Sequence, residues 1–153
     1  MILPPQTIRQ LEIMDPCNER TVSLTGMSFG LSHAGYDVRC DQDILLWPFR
    51  CVLASTMERF SMPHDVCADV KDKSTWARRF ITVQNTFIEP GWKGYLTLEI
   101  VNHSFRLVRI RRGDPIAQIV FMRLEEPTER PYTGKYQDQE RGPQPARQEI
   151  PRR

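Results

Sequence analysis

The sequence predicts a mainly β protein, an antiparallel sandwich or barrel with one or two short helices. Its 153 residues are enough for one domain with a substantial core. From Gly26 onward, short segments rich in β-forming residues alternate with turn residues, and no long helical pattern separates them. Many short strands with few helices are typical of an antiparallel sandwich or barrel.

The chain divides into an N-terminal helix, a β-rich body and a C-terminal tail. Thr7 is a suitable N-cap for a short helix over residues 8–12, and residues 74–79 are predicted to form a single helical turn. Strands are predicted at Asp37–Cys40, Arg50–Ser55, Val66–Val70, Ile81–Gln84, Tyr95–Asn102, Arg106–Ile110 and Gln118–Leu124. Residues 1–140 are expected to form one domain, and the proline- and arginine-rich residues 141–153 a flexible tail.

Composition argues against several classes of protein. The net charge of +2 predicts no general attraction to nucleic acid, and no apolar run is long enough for a transmembrane helix. The start of the chain does not resemble a signal peptide. The four cysteines form no C-x-x-C pair and fit no zinc framework. We therefore expect a cytoplasmic protein without nucleic-acid or membrane partners, its cysteines reduced.

One carboxylate lies within a strongly β-forming segment, residues 95–102. The aliphatic residues at positions 96, 98 and 100 share one face, because side chains alternate along a strand. Glu99 therefore lies on the opposite face, together with Thr97. A carboxylate in such a segment is expected to be partly buried, with a shifted pKa or a charged partner. Both conditions suit a general acid–base catalyst, so Glu99 is a candidate catalytic residue.

A series of short motifs runs through most of the chain. They are Ser28–Ser32 (SFGLS), Gly35–Arg39 (GYDVR), Leu53–Glu58 (LASTME), Lys73–Arg78 (KSTWAR), Glu89–Gly94 (EPGWKG), Leu96–Glu99 (LTLE), Ile116–Phe121 (IAQIVF) and Lys135–Gln139 (KYQDQ). In this order they resemble the dCTP deaminase family, within the trimeric dUTPase-like superfamily. The resemblance implies a distorted β-sandwich or barrel of the dUTPase-like type, assembled as a homotrimer with sites between subunits.

The resemblance also implies a reaction, the hydrolytic deamination of dCTP to dUTP and ammonia. Glu99 matches the general acid–base, while Ser74 and Arg78 match residues that orient the water and tune the glutamate. Zinc-dependent nucleobase deaminases need H-x-E and P-C-x-x-C, and neither occurs here. The expected cofactor is therefore Mg²⁺ bound with the triphosphate, with no zinc and no metal ligand from the protein.

Substrate contacts follow from the same resemblance. Those implied are Lys73, Ser74 and Thr75 for the triphosphate, Val83, Asn85 and Thr86 for the pyrimidine edge, Glu89 for the sugar 3′-hydroxyl, and Tyr132, Lys135 and Gln139 for a closing segment. Asp72 stands where the family commonly has glycine, and Gln84 and Asn85 also depart from its pattern. The phosphate-loop geometry and the tolerance of 5-substituted cytosines are therefore left open.

Three alternatives remain at this point. One is a bifunctional enzyme that also cleaves dUTP to dUMP, and another is a plain dUTPase. A dUTPase is expected to carry a glycine-rich C-terminal phosphate motif, whereas this chain has Arg141-Gly142-Pro143-Gln144. A plain dUTPase also has no need of a residue such as Glu99. The third is a non-catalytic nucleotide-binding member of the family. The presence of Ser74, Arg78 and Glu99 together argues against it.

Overall fold

The structure, a computed structural model, describes residues 1–149, which form two short helices and twelve strands. The helices are α1 (Pro5–Gln10) and α2 (Ser74–Ala77). The strands are β1 (Met14–Asp15), β2 (Thr21–Val22), β3 (Ser28–Ser32), β4 (Gly35–Arg39), β5 (Ile44–Leu46), β6 (Cys51–Ser61), β7 (Val66–Asp72), β8 (Ile81–Val83), β9 (Phe87–Ile88), β10 (Lys93–Asn102), β11 (Val108–Ile110) and β12 (Pro115–Arg123).

The strands form two main sheets and one small one, and all pairings between named strands are antiparallel. One sheet has the order β1-β6-β10-β8, and the other has the order β2-β3-β4-β12-β7-β9. Strands β5 and β11 make the two-stranded sheet. Side chains from both main sheets join one hydrophobic cluster, which includes Tyr36, Phe60, Ile100 and Phe121. The fold class predicted from the sequence is thereby confirmed.

Several details differ from the sequence-based expectation. The N-cap of α1 is Pro4, which makes no side-chain capping bond, so the prediction of Thr7 as N-cap was wrong. Thr7 lies inside the helix, because prolines suit the first turn, where no N–H partner is needed. Five strands were missed, namely β1, β2, β3, β5 and β9, each of two to five residues. Within residues 1–149, no helix is long and apolar enough to cross a membrane.

A single helical turn, α2, is fixed to the body by two buried contacts. Trp76 is almost fully buried, and its indole Nε1 donates to the carbonyl of Pro115 at 2.7 Å. Lys73, immediately before the turn, places its Nζ 2.7 Å from Oδ2 of Asp37 on β4. Both side chains of this ion pair are buried. A four-residue helix has little stability of its own, so these anchors determine where it lies.

The beginning of β10 is in close contact with the C-terminal part of the chain. Gly94 pairs with Gln139 in an isolated parallel bridge, and the Tyr95 N–H donates to the Gln139 carbonyl at 2.9 Å. Gly94 has φ +140°, and a Cβ there would lie 2.6 Å from the backbone nitrogen of Gln139. The position therefore requires glycine both for its backbone conformation and for this close approach.

Gly94→Ala is expected to lower the free energy of unfolding by about 1–3 kcal/mol and to displace Gln139. Urea unfolding followed by tryptophan fluorescence would measure the loss. Gly113→Ala is the matched control, because Gly113 also has a positive φ of +91°, but no heavy atom lies within 4 Å of the place that a Cβ would occupy there. Equal losses in the two variants would show that the close approach of Gln139 to Gly94 adds nothing to the cost of the substitution.

Candidate active site

A pocket of about 480 Å³ lies between the polar face of β10 and the C-terminal part of the chain. Its lining combines apolar and aromatic side chains with a few polar groups. The lining residues are Leu53, Thr86, Phe87, Ile88, Glu89, Trp92, Leu96, Thr97, Glu99, Tyr132, Tyr136, Gln139, Gln144 and Ala146. Ligand sites of small molecules have this size and this mixture of groups.

Glu99 reaches the pocket because of the alternation of β10. Leu98 and Ile100 are buried in the core, while Glu99 is half-buried on the opposite face, as predicted. Its Oε2 atom is buried and has no hydrogen-bond partner among residues 1–149. Burial raises the pKa of the Glu99 carboxyl above its usual value, opposed by its own backbone N–H. A buried, unpaired carboxyl oxygen is costly, and such groups are common at functional sites.

The raised pKa of Glu99 predicts a pH-dependent cost to stability. The native state binds the Glu99 proton more tightly than the unfolded state, so stability falls as pH rises from the ordinary glutamate range to the raised pKa. Glu99→Gln removes this group and with it this loss of stability. The free energy of unfolding of the variant minus that of the original protein should therefore increase with pH across that window and then level off. Urea unfolding from about pH 4 to about pH 8 would test this. A constant difference across the range would contradict it.

Four other predicted site residues line the same pocket as Glu99. They are Thr86, Glu89, Tyr132 and Gln139. Gln139 is buried, and its amide Nε2 donates to Thr97 Oγ1. The Tyr132 hydroxyl accepts a hydrogen bond from the backbone N–H of Tyr136 at 3.1 Å. The structure thus brings together one strand, the segment before it and the segment at residues 132–139.

The residues of the KSTWAR motif do not line this pocket. Ser74, the first residue of α2, and Arg78, which caps its C-terminus, are exposed, and Thr75 is partly exposed. Neither Ser74 nor Arg78 makes a side-chain hydrogen bond or ion pair with another residue of the described chain. Lys73 is buried and paired with Asp37, so its ammonium group is not open to solvent. The predicted phosphate contacts of Lys73, Ser74 and Thr75 remain predictions.

The remaining predicted contacts also lie outside the pocket lining. Val83 is buried, and its backbone N–H donates to Oδ1 of Asp72 at 2.7 Å. The Asp72 carboxylate is therefore turned toward β8. Asn85 is exposed in the segment before β9. Lys135 lies near Glu149, with 3.8 Å between Nζ and Oε1, and over the ring of Tyr136.

Some pocket residues carried no clear signal in the sequence. Thr97 could have been included, since alternation places it on the same face as Glu99. Trp92 is buried, and its indole Nε1 donates to the Tyr136 carbonyl at 2.7 Å, so it serves the core and the pocket wall together. Gln144 and Ala146 lie in the predicted tail, where neither periodicity nor a motif indicates a contact. Only the fold brings them to the pocket.

No group of three or more His, Cys, Asp or Glu side chains in residues 1–149 is arranged to hold a metal ion. Glu89 and Glu99 are the carboxylates that line the pocket. The expected Mg²⁺ stays a prediction.

Solved structures of dUTPases are similar to this fold. The dUTPase of EIAV superposes with a TM-score of 0.55 at 18% identity, covering 66% of this chain and 84% of the other. A mutant dUTPase from phage phi11 of S. aureus, described with a structural Mg(II) ion, gives 0.57 at 17% identity and covers 76% and 98%. The molecule is therefore a dUTPase-like β protein with an acidic pocket.

Sequence relatives give a narrower assignment. A family model described as dCTP deaminase-like matches residues 35–124. The dCTP deaminase of Pyrococcus horikoshii is 34% identical over 90% of this chain and 92% of its own length. That of Campylobacter fetus is 35% identical over 84% and 87%. The chain belongs to the dCTP deaminase-like family, which confirms the resemblance found in its motifs.

Proposed function

We propose that this protein catalyses the hydrolytic deamination of dCTP to dUTP and ammonia. The observation that carries the proposal is Glu99, whose buried and unpaired Oε2 lies in a pocket of about 480 Å³. Membership of the dCTP deaminase-like family supports the choice of substrate. The enzyme class predicted from the sequence agrees with this membership.

In the proposed mechanism, Glu99 moves protons between water, the pyrimidine ring and the amino group. The raised pKa of its carboxyl makes the carboxylate a stronger base, which accepts a proton from water while the water oxygen attacks the carbon that bears the amino group. Glu99 gives this proton to the adjacent ring nitrogen, then takes the proton of the new hydroxyl group and passes it to the amino nitrogen. The carbon–nitrogen bond breaks, ammonia leaves, and the ring carbon becomes a carbonyl beside a protonated ring nitrogen, so one water is consumed for each ammonia released. A single carboxyl group suffices for these transfers.

The other pocket residues provide the surroundings for the nucleoside. Glu89 would accept a hydrogen bond from the sugar 3′-hydroxyl, as the family resemblance implies. Thr86 borders the same space and would contact the base edge. Tyr132 and Gln139 lie on the C-terminal side, where they would close over the bound nucleotide. The apolar lining would exclude bulk water from the reacting carbon.

The site becomes complete if α2 of a neighbouring subunit faces the pocket. Ser74 and Arg78 are exposed and make no side-chain hydrogen bond or ion pair with other residues in the described range, while Oε2 of Glu99 lacks a hydrogen-bond partner there. In the homotrimer that we propose, Ser74 would orient the water and Arg78 would orient Glu99. This arrangement would leave the buried Lys73–Asp37 pair to set the position of α2.

Mixed trimers would test the shared site. Glu99→Gln and Arg78→Ala, each inactive alone, are denatured together and refolded. Random mixing is expected to restore about one quarter of the sites, because one subunit then supplies Glu99 and its neighbour Arg78. A mixture of two Glu99→Gln preparations with different tags is the control. Failure to regain activity in well-formed mixed trimers would contradict a shared site.

Mg²⁺ would enter with the triphosphate and neutralise part of its charge. We assign no residue of this chain to the ion. We expect EDTA to abolish activity, and excess Mg²⁺, without zinc, to restore it. Restoration by zinc alone would contradict the zinc-independent proposal.

The proposed reaction is tested by incubating the protein with dCTP and Mg²⁺ and separating dCTP, dUTP and dUMP by chromatography. Accumulation of dUTP with an equal amount of ammonia supports a deaminase. Appearance of dUMP from the start would indicate the bifunctional alternative. Turnover of dUTP without turnover of dCTP would indicate a plain dUTPase, and binding without turnover the non-catalytic alternative.

A further inference from the structure

Residues 141–147, which we call the roof, lie across the pocket that contains Glu99. Gln144 and Ala146 line the pocket. The backbone N–H of Gln144 donates to Thr97 Oγ1 at 3.1 Å. Thr97 and Glu99 are two residues apart on the same face of β10. The roof therefore covers the side of the strand that presents the carboxylate.

Two charge-assisted hydrogen bonds fasten the first residue of the roof. Nε and Nη2 of Arg141 donate to Oδ2 and Oδ1 of Asp41 at 2.7 and 2.8 Å. The Asp41 side chain is only 9% exposed, whereas that of Arg141 is 51% exposed. The next backbone N–H, that of Gly142, donates to Ser55 Oγ at 3.2 Å. A bidentate contact of this kind fixes direction as well as distance.

The carboxylate that receives Arg141 is held in place by groups outside the roof. The Asp41 backbone N–H donates to the Ser55 carbonyl at 2.9 Å, which ties Asp41 to β6. Nε of Arg112 donates to Oδ1 of Asp41, also at 2.9 Å. Arg141 and then Arg112 hold the pKa of Asp41 below its usual value against the opposing effect of burial. Asp41 is therefore a charged and oriented anchor for Arg141.

We propose that Asp41 is a positioning residue of the active site, which holds the roof over Glu99 through its two bonds to Arg141. The proposal rests on the proposed deamination by Glu99. Asp41 does not line the pocket and acts only through the roof. With the roof in place, Oε2 of Glu99 stays shielded from bulk solvent, and only a water bound with the nucleotide would reach the carboxylate. With Arg141 released, water reaches this oxygen and the nucleotide loses one wall of its site.

Asp41→Asn and Arg141→Gln test this inference. Each is expected to raise the KM for dCTP about tenfold, with a much smaller change in kcat, because the roof contributes to nucleotide binding. Each should also move the acidic limb of the pH profile of kcat/KM to lower pH, since hydration of Glu99 removes the cause of its raised pKa. An unchanged or lower KM together with an unmoved limb would overturn the inference.

Two further variants distinguish the positioning role of Asp41 from a general effect of removing a charge near it. Arg112→Gln removes the other cation from Asp41 but leaves the bonds to Arg141 and to Ser55, so its rise in KM and the shift of its pH profile should be smaller than those of Arg141→Gln. Arg141→Lys keeps the charge but cannot donate two parallel bonds, and it should be intermediate. If Asp41→Asn does not fold, Arg141→Gln decides the question, because the Arg141 side chain is half exposed.

A measurement without substrate keeps this inference separate from the proposed function. Hydrogen exchange at the Gly142 and Gln144 amides should accelerate about tenfold in Asp41→Asn and Arg141→Gln, and less in Arg112→Gln. Unchanged exchange in the first two variants would overturn the role of Asp41 even if dCTP is deaminated. Absence of dCTP turnover in the original protein would instead reject the proposed function. The exchange rates would then still show whether Asp41 holds the roof in place.

Discussion

Glu99→Gln is expected to lower the kcat for dCTP by at least about a thousandfold, while nucleotide affinity changes little. Glutamine has nearly the same shape but cannot accept the proton of water and return it to ammonia. The pocket also gains no buried charge, because the glutamine side chain is neutral. Stopped-time chromatography of dCTP and dUTP, with calorimetric binding of dCTP, would give the two quantities.

The same chemical change at an exposed position provides the control. Glu140→Gln alters a glutamate that follows Gln139 in the sequence, is exposed and does not line the pocket. Its kcat should match that of the original protein. Turnover by Glu99→Gln within tenfold of the original rate would remove Glu99 from the mechanism, whatever the binding result.

The second large effect concerns stability. Asp37→Asn should lower the free energy of unfolding by about 3–5 kcal/mol, because it leaves the buried ammonium of Lys73 without a counter-charge. The anchor of α2 would weaken with it, so activity should fall as well. Urea unfolding at neutral pH measures the stability, and the chromatographic assay measures the activity.

An exposed pair on β7, in the same sheet, gives the comparison for Asp37. Asp69→Asn breaks the pair between Lys71 and Asp69, whose atoms are 2.9 Å apart but whose side chains are 47% and 35% exposed. Its cost should be below about 1 kcal/mol. The double replacement Asp37→Leu with Lys73→Met should recover most of the loss, because it removes both charges. Equal losses for Asp37→Asn and Asp69→Asn would show that burial of the pair is unimportant.

The fold class could be predicted because its main strands carry their own signals. In β10, alternate aliphatic residues give both the strand and the face that is buried, and the structure confirms both. The short strands β1, β2 and β9 have two residues each, too few for any periodicity. They exist because a neighbouring long strand offers free hydrogen-bonding groups, which is a property of the assembled sheet.

Local signals account for part of the pocket, and contacts between distant segments account for the rest. Alternation along β10 places Glu99 on the polar face, and the family resemblance implied Glu89; both line the pocket. The hydrogen bond from the Gln144 N–H to Thr97 Oγ1 joins residues 47 positions apart, and no local sequence pattern predicts it. Lys73 shows the same limit. The family resemblance implied a phosphate contact for it, and no local pattern indicates its ion pair with Asp37, 36 residues earlier.

Strand β12 is the last strand in the sequence, yet it lies between β4 and β7 in the six-stranded sheet. During translation, β4 and β7 therefore emerge long before the strand that will join them. Until residues 115–123 have left the ribosome, both present unpaired edges to other nascent chains, and such edges are templates for aggregation. The demand of this protein for chaperones is thus expected to be greatest late in its synthesis and to end when β12 inserts.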